Sequence, residues 1–482
     1  MAQLAAREGV RVKRYEELAA EIGALIEAGL LLPGERVASV RQQRARCGVS
    51  PGTVFQAYGL LEARGLIVVR ARSGYYVAPR PGPAGPEPDA SRPPAAASAV
   101  DVSALVFEVL GAAGARQLVP FGSAFPSPLL FPLDKLGRAM AASMRRLDPW
   151  STVLDLPQGN ADLRRQIALR YQLDGVAVGG DEIVVTNGAL EALNLCLQAV
   201  ARPGDTVFIE SPSFYAGLQA LERLGLKARE IATGARDGID LGALAEALAR
   251  QRPAACWLMS SFQNPLGSLM APEKKRALVA LLAEHEVPLI EDDVYGELYF
   301  GARPALSKRY DEKGLVLHCG SFSKCLAPGF RVGWAAPGRF ARAVERLKLS
   351  TSLTAALPSQ LALAEYLGRG GYERHLRQLR LTLEARQGAM LAALAAHFPA
   401  GTRVTRPRGG YFLWVELASG VCALDLHRRA LGEGISIAPG PIFSANRGFG
   451  NCIRLNYGHP WSAAHEAAIA TLGRLIREQS AP

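Results

Sequence analysis

Between residues 79 and 99 the chain reads PRPGPAGPEPDASRPPAAASA, and no apolar periodicity survives in it. Proline fixes φ and removes a backbone donor, so such a run is semi-extended and belongs to no packed core. It therefore divides the 482-residue chain into a small unit, residues 1–78, and a large one, residues 100–482. Each needs a core of its own. Counted from Val77 to Ala99, a linker of this kind reaches ~70 Å at ~3.1 Å per residue.

In the small unit, Tyr15, Leu18, Ile22, Leu25 and Ile26 recur at helical spacing, and the Leu-Leu-Pro-Gly turn at 31–34 stops that helix. A second helix is predicted over 39–46. A third follows Gly48, with Ser50 as its N-cap and Pro51 just inside, and ends at Gly65. After it, LIVVRARSGYYV predicts two short strands around a Ser-Gly turn. This is the element order of a winged helix-turn-helix. Gln43 and Arg44 stand in the second helix where an apolar face is expected, which predicts weaker packing there.

The formal charge of +11 is concentrated in this unit: residues 36–80 hold eight arginines against one acid, Glu62. Composition alone would allow a solvated basic face. On a winged unit the same charge points to double-stranded DNA. Ser50, Thr53 and Gln56 would offer hydrogen bonds from the helix end that enters a major groove, with Arg41, Arg70 and Arg72 on the phosphates.

The large unit alternates strands with helices: DEIVVT, DTVFIE, AACWLMS, VPLIEDD and GLVLHCG are short, continuously apolar and separated by helical segments. That pattern predicts an α/β fold with a mostly parallel central sheet covered on both faces. The chain's seven cysteines and seven histidines show no C-x-x-C and no ligand spacing, so neither a disulfide framework nor a metal site is expected. No run approaches the roughly 18 apolar residues of a membrane span, and the first residues carry no apolar signal region. A cytoplasmic protein without membrane contact is the expectation.

Polar residues follow these strands directly, where open α/β sheets bind ligands. Gly188 and Ala189 open a helix whose first amides suit a phosphate. Ser321, Ser323 and Arg331 would complete the phosphate cup. Asn264 sits at a proline turn, Asp292 ends a strand, and Tyr295 lies three residues on. Singly, each reads as a helix start, a turn or an N-cap. Together they suit pyridoxal 5'-phosphate (PLP). Lys324 supplies the amine for its aldehyde, Asp292 the carboxylate for its ring nitrogen, and Asn264 and Tyr295 the donors for its phenolic oxygen. Phe214 or Tyr215 would stack on the ring.

On these motifs residues 118–478 resemble a fold-type I PLP-dependent aminotransferase with a smaller α/β subdomain, and the small unit resembles the winged helix-turn-helix of GntR regulators. The whole resembles the MocR subfamily, transcriptional regulators with an aminotransferase-like effector domain. The resemblance implies Lys324 as the Schiff-base lysine, Phe214 as the stacking residue, and Arg454 in NCIRLNYG as the grip on a substrate or effector carboxylate. It also implies a homodimer and an amino acid or PLP itself as effector. One departure stands out: the family's enzymes take a tyrosine from the partner subunit, yet this chain has none between Tyr76 and Tyr171. Weak transamination is therefore expected. The alternative reading is a PLP-dependent aminotransferase with an accessory N-terminal domain.

Overall fold

The computed structural model describes residues 14–32, 34–63, 66–70, 73–77, 85–112, 118–154 and 157–480. The chain divides into two compact units, residues 1–84 with 381–396 and residues 85–380 with 397–482.

The head is built from α1 (Arg14–Glu27), α2 (Val40–Cys47), α3 (Pro51–Ala63) and the antiparallel hairpin β1 (Ile67–Arg70) and β2 (Gly74–Val77). Leu18, Ile22 and Ile26 of α1 meet Val54, Tyr58 and Leu61 of α3 and Ile67 of β1 in one buried cluster. The helical spacing of these residues is what makes that seam. Ser39 caps α2 in a reciprocal box with Gln42, and Gly48 stops it in the left-handed region at φ 63°. Gln43 is buried as the sequence pattern implied, but its amide donates to Cys47 Sγ at 3.2 Å, one turn on. Arg44 stays in solvent. The wing is widened by residues 35–37: Val37 N donates to Tyr75 O, and Val77 N to Glu35 O, both at 2.8 Å. Gly65, the expected end of α3, lies outside the described residues.

The body's main sheet uses β3 (Ser98–Ala99), β4 (Val184–Thr186), β5 (Thr206–Ser211), β6 (Lys227–Gly234), β7 (Gly238–Ile239), β8 (Ala255–Leu258), β9 (Leu289–Asp292), β10 (Val316–Ser321) and β11 (Gly333–Ala336). Their order is β3-β6-β5-β8-β9-β10-β11-β4, with β7 beside β6. From β6 to β10 every pairing is parallel. Antiparallel β11 lies between β10 and β4. The five apolar runs read from the sequence are thus the strands of a doubly covered sheet, as expected. The carboxyl ends of β4, β5, β8, β9 and β10 share one edge, and the candidate site residues lie there. A second sheet, ordered β12 (Arg403–Val404), β13 (Phe412–Glu416), β15 (Cys452–Asn456), β14 (Ala438–Pro439), carries Arg454 on β15.

The proline-rich run departs from expectation. Residues 85–99 are fastened to the body. Glu87 bonds the Arg236 side chain and accepts from Arg406 N at 2.9 Å, and Arg403 pairs with Asp89 at 2.6 Å. Ser91 exchanges bonds with Thr233, giving its N–H to Thr233 O at 3.1 Å and accepting Thr233 N on Oγ at 2.9 Å. β3 then pairs antiparallel with β6. Composition correctly gave an extended chain, but an extended chain with free carbonyls and two acids is also a good edge partner. Residues 78–84, between the head's last strand and this segment, lie outside the described residues.

Among the described residues no helix is long and apolar enough to cross a membrane, and no group of His, Cys, Asp or Glu is placed to hold a metal.

The amide of Ser91 is expected to exchange slowly with solvent, and Glu87→Ala to speed that exchange roughly fivefold, the loss of about one hydrogen bond. Exchange of the unsubstituted chain at a free-peptide rate, read by mass spectrometry, contradicts the docked strap.

Candidate functional site

Asp292 closes β9 with its carboxylate buried, and neither oxygen has a hydrogen-bond partner. Burial, then the neighbouring Asp293, pushes its pKa up to about 7 against the opposing pull of Lys324 and the Val294 amide. Lys324 lies three residues beyond β10. Its ammonium donates to Ala124 O at 3.0 Å and sits 3.9 Å from the centre of the Phe125 ring. Burial, then the charges of Arg454 and Arg331, lowers its pKa to about 7 despite Asp292. An acid and an amine are thus driven toward neutrality in one enclosure, the condition under which a lysine is nucleophilic.

Asn264 is fully buried, donates to the Tyr295 hydroxyl at 3.4 Å and accepts from Arg454 Nη1 at 3.1 Å. Arg454 has no carboxylate partner. Its Nη2 is held by the carbonyls of Gly122 at 2.7 Å and Ser123 at 3.1 Å, and its Nε is buried without a partner. Phe214 caps the helix Tyr215–Arg223, and its ring lies 4.8 Å from that of Tyr215. The Tyr215 phenol, raised by burial, is countered by Arg454. Of the two aromatics weighed from sequence, Tyr215 is therefore engaged at the arginine.

At the end of β4, Gly188 takes φ 84° and starts α4 (Ala189–Val200). A Cβ on Gly188 would stand 2.4 Å from Arg331 Nη2, so only glycine admits the guanidinium. Arg331 donates to Asn187 O at 3.1 Å and approaches Ser323 Oγ at 3.5 Å. Ser321 Oγ donates to Ser323 Oγ at 3.0 Å. The first amides of α4, two hydroxyls and one guanidinium converge, which suits an anion. A partnerless buried carboxylate, a neutralised amine and this cradle fit the ring nitrogen, aldehyde and phosphate of PLP.

Several supports were not read from the sequence. Glu191 accepts from Asn187 N and is paired with buried Lys348 at 2.9 Å. Burial would raise the Glu191 pKa, but Ser352, the Asn187 amide and Lys348 outweigh it. The pair pins the phosphate turn. Its signal was available, since Glu191 is the third residue of the helix that Gly188 caps. The segment at 122–125 over Lys324 and Arg454 acts through its carbonyls, which no side-chain pattern reveals. Behind the sheet, His318 bonds the Tyr171 hydroxyl at 2.7 Å and lies 3.4 Å from Asp293.

In the head, Arg41 and Gln56 are exposed. Ser50 Oγ accepts Thr53 N at 3.1 Å, which caps α3, and lies 2.9 Å from Thr53 Oγ1. Arg70 ends β1, and Arg72 lies outside the described residues.

The family described as aminotransferase class I and II matches residues 138–470, and that of bacterial regulatory proteins of the gntR family matches residues 14–77. The HTH-type transcriptional regulator YdcR of Escherichia coli K12 is 47% identical over 97% of this chain and 100% of its own. Among solved structures, the α-aminoadipate aminotransferase LysN of Thermus thermophilus, complexed with N-(5'-phosphopyridoxyl)-L-leucine, is 33% identical. It covers 77% of this chain and 97% of its own, at a TM-score of 0.70. The kynurenine aminotransferase of Pyrococcus horikoshii, in complex with PMP, is 29% identical over 78% of this chain and 95% of its own, at 0.73.

Gly188→Ala is expected to expel the Arg331 guanidinium from the turn and weaken phosphate-anion binding about tenfold, the worth of one charge-assisted hydrogen bond. An unchanged binding isotherm contradicts the cradle.

Proposed function

This chain belongs to the aminotransferase class I and II family and carries a gntR-family regulatory head, and we propose that it works as a MocR-type, DNA-binding transcriptional regulator whose body holds PLP and senses an amino acid. The observation that carries this reading is the presence in one chain of a winged head, rich in arginine, and a body whose buried Asp292 has no hydrogen-bond partner among the described residues.

PLP, when bound, supplies an electrophilic aldehyde and an electron-withdrawing ring. The chain's own residues do the rest. Lys324 offers an amine already half neutral near pH 7, so little work is needed to free its lone pair. Asp292 would accept the proton held at a ring nitrogen, a pairing that favours its charged form against burial. Asn264 and Tyr295 orient the phenolic oxygen, and Phe214 covers the ring. Ser321, Ser323, Arg331 and the Ala189 amide would hold the phosphate, with the Gly188 amide already given to Thr186 O at 2.9 Å. Arg454 takes a carboxylate in exchange for the carbonyls of Gly122 and Ser123.

The body leaves Leu129, Leu133, Trp150 and Val153 exposed, apolar surface that a second copy would cover. We read the protein as a cytoplasmic homodimer with two heads. With no tyrosine from the 77–170 segment, turnover should be weak, which favours effector sensing over the aminotransferase alternative.

Lys324→Ala should abolish borohydride-fixed cofactor on this peptide without unfolding the chain. In the unsubstituted protein, cofactor capture should accelerate as pH rises through about 7 and then level off, since a lowered amine pKa leaves the free base above it. Cofactor fixed on the variant at the same peptide, or a flat pH profile, contradicts the assignment. For the head, the intact protein should select specific duplexes from a randomised pool, with affinity falling steeply with salt. Absence of selection, with or without PLP, contradicts the regulator reading.

A further inference from the structure

Helix α3 buries Val54, Ala57, Tyr58 and Leu61 at the i, i+3, i+4, i+7 spacing of a core face. The stripe beside it is unusual. Phe55 is 56% exposed, and on its stripe lie Gly52, three residues before, and Gly59, four after. A Cβ at Gly59 would meet nothing within 4 Å, and one at Gly52 would meet only Ser50 Oγ at 3.7 Å. An aromatic ring therefore projects from an otherwise bare stretch of helix. Of the hydroxyls expected to read bases, Ser50 accepts the Thr53 amide and Thr53 Oγ1 bonds Ser50 Oγ.

An exposed ring on a helix of an arginine-rich unit needs a partner that is polyanionic overall and apolar at one point. Residues 36–80 carry eight arginines against Glu62, and Glu62 lies at the far end of α3 from the groove-entering terminus. In the major groove the apolar feature of a base pair is the 5-methyl of thymine. Bare glycines on either side let the helix settle close enough for the ring to reach it.

We propose that Phe55 is a specificity-determining residue that packs on a thymine 5-methyl group in each operator half-site. This rests on the DNA-binding reading above. The test uses the intact protein and duplexes selected from a randomised pool, with each thymine of the half-site replaced in turn by uracil, which removes only the methyl. One position per half-site should lose about fourfold in affinity, as burial of one methyl is worth. Phe55→Ala should bind the thymine and uracil duplexes equally, with the salt slope unchanged because no charge is lost. Phe55→Leu should keep part of the preference. Circular dichroism should find both variants folded, since the ring is outside the head's core.

The proposal is overturned if no thymine is sensitive to its methyl in the unsubstituted protein, or if Phe55→Ala keeps the same thymine-to-uracil ratio. A change in sedimentation with no change in that ratio overturns it too, and assigns the ring to a protein contact. Absence of any selected duplex fails the regulator reading itself, an outcome distinct from these.

Discussion

A carboxylate buried at a strand end with nothing to bond is the constraint on which the body's chemistry turns. Asp292 is fixed there by β9, paired on both sides by β8 and β10, so it cannot swing to solvent. The fold tolerates it by raising its pKa to about 7, while Lys324, under the charges of Arg454 and Arg331, falls to about 7. The enclosure is thus poised for a ligand with a cationic ring and an aldehyde, and the Gly188 turn adds the anion cradle at the proper edge of the sheet. Burial sets both shifts; the charges decide how far they go.

The alternation of strands and helices, the winged head and the strand-end residues were legible because each rests on local chemistry: apolar runs, caps, glycine stops. The docking of residues 85–99 was not. Proline and alanine specify an extended chain, but the partners of Glu87 and Asp89 are Arg236 and Arg403, residues that no local pattern links to them. Lys348 is a similar case. Its sequence setting is an ordinary amphipathic helix, and only the fold brings it to Glu191. Gln43 looked like a packing fault and is a satisfied one, because Cys47 stands one turn away. Exposure of Phe55 was readable from the helical spacing of α3 and passed over in favour of its polar neighbours.

The docked strap gives the regulatory reading a physical route. Ser91, on the chain that leads from the head, is bonded to Thr233 of β6. Thr233 Oγ1 accepts Ser211 N at 3.1 Å at the end of β5, three residues before Phe214. A hydrogen-bonded path thus runs from the end of β5 through Thr233 to Ser91.

The direct test of this coupling is to titrate amino acids into PLP-loaded protein bound to a selected duplex, following cofactor absorbance and DNA affinity in the same sample. Linkage requires that an amino acid that changes DNA affinity be itself bound more or less tightly by the same factor when DNA is present. The account predicts such a reciprocal change for at least one amino acid, lost in Arg454→Ala. Identical DNA affinity in cofactor-free, PLP-loaded and amino-acid-saturated protein would contradict it.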